Sequence, residues 1–319
     1  NNEKNWKCKI DSLKLVLETW KKRDLSLFGK ITVIKMLAIP KLTYSAQNTA
    51  VPKHIIPDIT RLLYDLLWGK VDRIRRMTMI APKEEGGLAM IDIESHFQGL
   101  KASWIKRYDG LDTDWQTLMK HYVNYFGKEN LVLHMTFKET ENFSALLRLP
   151  TFCREVLTSF NKSKQPQKPM THEALLTNII WGNRFIMMRD NISRKNVTMF
   201  YRNWIEAGII KICDLFIENG EIQLRYIFDK LYRRANYIAE VHMLKIALKP
   251  FKHILGTNIP NNMIYIIPLH PNFHMEDMII DISKKTSKFY YDLLVKMKCK
   301  PPNLLHWNNM IEQNNIPDF

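Results

Sequence analysis

The chain has 319 residues, 46% of them hydrophobic, and a formal net charge of +15 with a pI near 9.5. That length is enough for two or three domains and a sizeable core, and the charge favours a polyanionic partner, most simply nucleic acid. Lys and Arg outnumber Asp and Glu by 20 to 12 up to residue 110 and by 27 to 20 after it, which excludes a single basic tail. Cys8, Cys153, Cys213 and Cys299 lie far apart with no Cys-x-x-Cys pair, so neither a zinc cluster nor a redox motif is indicated. Scattered cysteines fit a reducing compartment. There is no secretory leader and no apolar run near 18 residues. The expected protein is soluble and intracellular, nuclear or cytoplasmic, with no membrane partner.

In chain order, residues 1–20 read as an amphipathic helix with Trp6, Ile10, Leu13 and Leu17 on its apolar face. It opens without a start signal, which suggests a piece of something longer. Ser26 is the N-cap candidate of the next helix. Leu27 to Ile39 is apolar apart from Gly29, Lys30, Thr32 and Lys35. Leu27, Ile31, Ile34, Leu37 and Ala38 share one face, and Phe28, Val33 and Met36 cover much of the other. Such a helix is expected to be buried and central, and Pro40 is expected to end it. Pro52 and Pro57 punctuate a turn before a helix at Asp58–Trp68, which Gly69 stops. Residues 77–93, around Gly86-Gly87, read as a small hairpin or extended loop, and residues 95–108 return to helix.

Residues 111–160 read as a connector of short helices. Residues 161–171, with Pro166 and Pro169, are the linker candidate. Helices are expected over 172–180, 194–207, 223–233, 235–248 and 283–299, with a loop at 250–275 and a short strand at Ile264–Ile267. The fold class is therefore mainly α. It comprises a helical domain at 1–110, a connector at 111–160, a linker at 161–171 and a second helical region at 172–319.

Several stretches carry a family resemblance. Trp20-x-x-Arg23-x-Leu25-Ser26-Leu27-x-Gly29-Lys30-Ile31-x-Val33-Ile34-Lys35 is followed by Pro40-Lys41-x-x-Tyr44 and Val51-Pro52. Next come Leu66-Leu67-Trp68-Gly69-Lys70, Arg73-Ile74, and Pro82-x-Glu84-Glu85-Gly86-Gly87-Leu88-x-Met90-x-Asp92-Ile93. Trp181-Gly182-Asn183, Gly208-Ile209 to Asp214-Leu215, and Gly220 complete the series. In this order they resemble the region just after the polymerase palm in LINE-type (non-LTR) retrotransposon reverse transcriptases. The resemblance implies a helical thumb at residues 1–110. It implies as partners an RNA template, an RNA–DNA hybrid and the rest of the parent polymerase.

The polymerase of that family needs paired palm aspartates to hold two metal ions, and this chain contains no Asp-Asp. Tyr64-Asp65, Tyr108-Asp109 and Tyr291-Asp292 are each followed by another residue, so the expectation is a palm-less, non-catalytic piece that needs no cofactor. His270 and His274 are an i, i+4 pair with Glu276 and Asp277 nearby, but Pro271 and Asn272 between them argue against the helix that a metal pair needs. No metal site is assigned. No phosphate-binding loop, dinucleotide fingerprint or nucleophile elbow is present.

The candidate nucleic-acid-binding residues are Arg23, Lys30, Lys35, Lys70, Arg73, Arg75 and Arg76. Arg23 precedes a helix N-terminus, where N–H groups favour anions. Lys30 and Lys35 flank the apolar face of the central helix, where snorkelling is the alternative role. The 70–76 cluster lies beside Trp68, a combination suited to backbone contact and stacking, and equally to a solvated loop. Trp104, Trp181 and Trp204 read as core. The alternative function is a helical module that meets protein or RNA with no link to polymerisation.

Overall fold

The computed structural model describes residues 2–69, 71–109, 114–127, 131–137, 143–164, 168–189, 194–215, 231, 237–255, 272–275, 278–281 and 285–299. The protein is mainly helical, and among the described residues its strands form two small antiparallel pairs. No helix of the described residues is long and apolar enough to cross a membrane.

The chain divides into two compact units. The first comprises Asn1–Trp104 and Lys285–Phe319, the second Ile105–Lys284. This division departs from the expected domains at both ends. The helix near residue 290 belongs with the first unit, and the connector, linker and later helices form the second.

In the first unit, α1 (Asn2–Lys21) buries Trp6, Leu13 and Leu17 along one stripe. The Trp6 Nε1–H donates to Ala50 O at 3.0 Å, so the ring is buried without leaving its polar edge unpaired. Ser26 caps α2 (Leu27–Val33) by accepting from Gly29 N at 3.2 Å, a contact of about 1 kcal/mol. The helix does not stop before Pro40. Ile34–Ala38 widens into a π-turn, with Ile39 N donating to Ile34 O at 2.9 Å. Pro40 then takes the first turn of α3 (Pro40–Asn48), where a missing N–H leaves no bond unmade. A proline deep inside an α-helix would strike the carbonyl four residues back, and the widened turn avoids that collision.

The central stretch is also not buried all round. Ile31, Val33, Ile34, Ala38 and Ile39 are buried, but Phe28 is 56% exposed and Met36 69%. The apolar content that pointed to full burial is divided between a core face and a face open to water.

α4 (Ile55–Trp68) is strongly amphipathic and buries Ile59, Leu63, Leu66 and Leu67 against that core face. Pro57 sits in its first turn. Gly69, at φ +78°, ends it as expected. The anticipated hairpin is a short helix, α5 (Arg76–Ile80), a tight turn at Lys83–Glu85, and a return segment. Met90 N donates to Met79 O at 2.7 Å and Ala89 N to Ala81 O at 2.9 Å. Gly87 is required here, because a Cβ would stand 2.0 Å from Ala81 O.

Asp92 caps α6 (Ile93–Ala102) through Ser95 N at 3.0 Å. Against α6 lies the C-terminal helix Ser287–Lys298, numbered α14 in chain order. The approach is close: a Cβ on Gly99 would meet Ser287 O at 2.8 Å. Lys298 Nζ bridges Asp92 at 2.6 Å and Glu94 at 2.9 Å. At Asp92, burial alone would raise the carboxyl pKa. The bonds from Lys298 and Ser95 outweigh it and hold the group below the usual range.

The second unit contains α7 (Asp114–Val123), α8 (Leu131–His134), α9 (Thr151–Ser163), α10 (His172–Leu176), α11 (Arg202–Glu206), α12 (Tyr237–Leu248) and α13 (Lys252–Leu255). Phe126, Phe137, Phe143 and Phe200 form an aromatic cluster, with Phe137 and Phe143 stacked at 5.2 Å. The expected linker is displaced: Asn161 and Ser163 finish α9 buried, and Lys164 is buried too. Polar composition suggested a linker, but these groups turn inward onto backbone carbonyls. The helix expected over 194–207 is divided. Asn196–Thr198 pairs as β2 with β1 (Met187–Arg189), and helix begins only at Arg202.

β3 (Asn272–Met275), at the end of the expected 250–275 loop, pairs with β4 (Met278–Asp281) just beyond it. Most of the helix expected at 223–233 and the strand expected at 264–267 lie outside the described residues.

Candidate nucleic-acid interface

The sequence-predicted basic residues separate into distinct environments. Arg23 is exposed between α1 and α2, and its guanidinium lies 4.3 Å from the Trp20 ring centroid. Stacked there, it keeps its charge toward water. Lys30 is half-buried and donates to Leu67 O at 3.4 Å. Leu67 lies in the last turn of α4, whose carbonyls have no partner within the helix. Lys30 therefore serves first as a capping group.

The arginines of the 70–76 cluster differ in their surroundings. Arg76 Nε pairs with Asp72 at 2.8 Å, and its guanidinium lies 4.5 Å from the Tyr64 ring centroid. Its charge is thus locally answered. Burial raises the Tyr64 pKa to about 12, although Arg76 beside it acts the other way. Arg73 and Arg75 are exposed. Lys70 lies outside the described residues.

Lys35 differs from its neighbours. It is exposed on the open side of the helical stretch 27–48 and pairs with no carboxylate among the described residues. Partial burial first, and then the Lys83 ammonium, hold its pKa below the usual lysine range. Lys83 comes from the turn after Pro82, is exposed, and lies 5.9 Å from the Phe28 ring centroid. Two cations and an exposed aromatic ring are thereby brought together from two elements. Tyr44, 75% exposed, continues the open side toward the end of α3.

Sequence reasoning missed Lys83 and Phe28. Lys83 is followed by Glu84 and Glu85, which cancel it in any local count of charge. Phe28 sits in a run whose composition pointed to the core. The available signal was the spacing Phe28, Thr32, Lys35, which returns to one side of a helix every three to four residues.

The other motif positions are explained by packing. Trp181 and Trp204 are fully buried. Trp181 Nε1 donates to Ile209 O at 2.7 Å, and Trp204 Nε1 to Glu240 at 2.6 Å. Gly182 adopts φ +63° with Met135 against it, so the turn admits no side chain. Asn183 is buried, donating to Ile179 O at 2.7 Å and accepting from Phe185 N at 2.9 Å. Trp104 Nε1 reaches Gln47 O at 2.8 Å within the first unit.

Among the described residues no group of three His, Cys, Asp or Glu side chains is placed to hold a metal ion. His274 lies in β3 opposite Ile279, and His270 lies outside the described residues. No protein-family model matches the chain, and no solved structure matches it.

Proposed function

We propose that the chain is a non-catalytic, nucleic-acid-gripping piece of a LINE-type reverse transcriptase, holding the template–primer beside a palm carried elsewhere in the parent protein. The observation that carries this reading is the open side of the 27–48 helical stretch. It presents Lys35 and Lys83, neither paired with a carboxylate among the described residues, beside exposed apolar surface, in a chain of net charge +15. A grip of this kind needs phosphate contacts and shape rather than base readout. Arg23, Arg73 and Arg75 extend the cationic surface available to a duplex.

The test is fluorescence anisotropy of the full chain with a labelled RNA–DNA hybrid across a salt series. Log affinity should fall linearly with log salt, by about 0.9 per phosphate contact on the B-DNA scale, with little dependence on sequence. Absence of binding at low salt refutes the reading and favours a helical protein-interaction module.

A further inference from the structure

An ammonium group repels its like, and two lysines held near each other with no carboxylate between them leave a local field that an anion relieves. Lys83 Nζ stands 5.9 Å from the Phe28 ring centroid, and Lys35 lies exposed two helical turns after Phe28 on the same side, so both ammonium groups border one open ring. The nearby acidic groups do not answer them. Glu84 and Glu85 are exposed beside Lys83, and Glu85 acts on Cys299, whose thiol pKa is raised by burial and by that carboxylate.

What surrounds the pair selects among anions. Phe28 is 56% exposed and Met36 is 69% exposed. Lys83, at 5.9 Å from the Phe28 centroid, is at the outer limit of a cation–π contact and leaves most of the ring open. From Phe28 to Tyr44 the stretch advances by sixteen residue steps, roughly 24 Å at helical rise. In a duplex the base faces are already stacked, and an aromatic side chain could meet only sugar and phosphate. In an unpaired strand the bases are free to lie on it.

We infer that Lys35, Lys83 and Phe28 form a binding site for an unpaired nucleic-acid strand, the two lysines straddling a backbone phosphate and Phe28 receiving a base. This rests on the nucleic-acid reading above and deepens it. On this assignment Lys35 and Lys83 meet the unpaired strand that continues beyond the duplex, while the exposed Arg23, Arg73 and Arg75 meet the duplex itself. A small phosphate ion shares the charge chemistry but not the stacking.

The experiment uses the full chain, a labelled ten-nucleotide oligo-dT, a blunt duplex of mixed sequence, and two variants. All three side chains are at least half exposed or on the surface, and thermal melts confirm that the variants fold. In Lys35→Met/Lys83→Met, the salt slope on oligo-dT should fall by about 1.4, at roughly 0.7 per single-strand contact. In Phe28→Ala, oligo-dT affinity should drop about tenfold with the slope unchanged, while duplex affinity stays the same.

If both variants bind oligo-dT as the parent does, the site is wrong while nucleic-acid binding stands. If Phe28→Ala weakens duplex and single strand equally, the strand selectivity is wrong. If inorganic phosphate displaces oligo-dT at an ionic strength where chloride does not, the pair is a small-anion site. If the parent chain binds neither nucleic acid, the functional reading falls and this site falls with it.

Discussion

Lys164 tests the packing of the second unit most sharply. Its ammonium is buried and donates to Leu133 O and, at 2.6 Å, to Met135 O. The Phe160 ring centroid is 4.8 Å away. Burial first, and then the Arg184 guanidinium, lower its pKa from 10.5 to about 7. In the unfolded chain the group returns to its ordinary value. Between pH 7 and 10.5 the unfolded state therefore holds a proton that the folded state has released. Stability should climb as pH rises through that window and be constant, at its lower value, below it.

At 1.36 kcal/mol per unit, the three units from pH 7 to pH 10 amount to about 4 kcal/mol. The assay is urea unfolding at each unit of pH for the parent chain and for Lys164→Met. Methionine leaves two carbonyls unpaired, at about 1–3 kcal/mol each, but that penalty does not vary with pH. Contributions from the rest of the chain are common to both proteins and cancel in the difference. The parent should gain about 4 kcal/mol on the variant between pH 7 and 10. A flat difference would mean that Lys164 reaches water and that residues 161–164 are the open linker their composition suggested.

Four further outcomes follow from other parts of the molecule. Ile34→Asp places a charge at a fully buried position and should lower unfolding free energy by several kcal/mol; unchanged thermal unfolding would remove the helix from the core. Gly99→Ala should destabilise by about 1–3 kcal/mol, because its methyl group would press on Ser287 O and Tyr291 N; an unaltered melt would mean that α14 shifts freely. His96 is held by burial at a pKa of about 4, so stability should be lost as pH falls from 6.5 toward 4, and His96→Gln should flatten that loss in urea titrations. The chain should incorporate no nucleotide on a primed template with Mg²⁺ or Mn²⁺; incorporation abolished by changing one of its carboxylates would overturn the palm-less reading.

The mainly helical class was legible because periodicity and caps act locally. Ser26, Gly69 and the stripe of α1 each behave as their neighbours dictate. The fate of Pro40 was not legible in the same way. A proline forbids one hydrogen bond, but whether the chain stops or widens by a residue depends on what packs around Ile34 and Ala38. The Lys298 bridge to Asp92 and Glu94 joins residues about two hundred positions apart, and no local pattern in either stretch announces it. Burial of Asn161 and Lys164 was hidden for a related reason. A polar run looks solvated until the carbonyls of Leu133, Met135 and Phe137 are known to lie opposite.

The same distinction separates cations that hold the fold from those that can meet a partner, and density along the sequence is a poor guide to it. Arg76, in the densest basic run, pairs with Asp72 and lies over Tyr64. Lys35 and Lys83 are each isolated in sequence, yet they face water with no carboxylate partner among the described residues. This gives a final prediction about the cluster. If phosphate contact requires an unanswered charge, replacing Arg73 and Arg75 should flatten the salt slope on a duplex by about 1.8, at 0.9 per contact. Arg76→Gln should leave the slope almost unchanged and alter only stability, by less than about 1 kcal/mol for an exposed pair. The measurement is the slope of log affinity against log salt for the two variants. An equal loss of slope per arginine would show that Arg76 exchanges Asp72 for phosphate on binding, and that a resting ion pair does not exclude a residue from the interface.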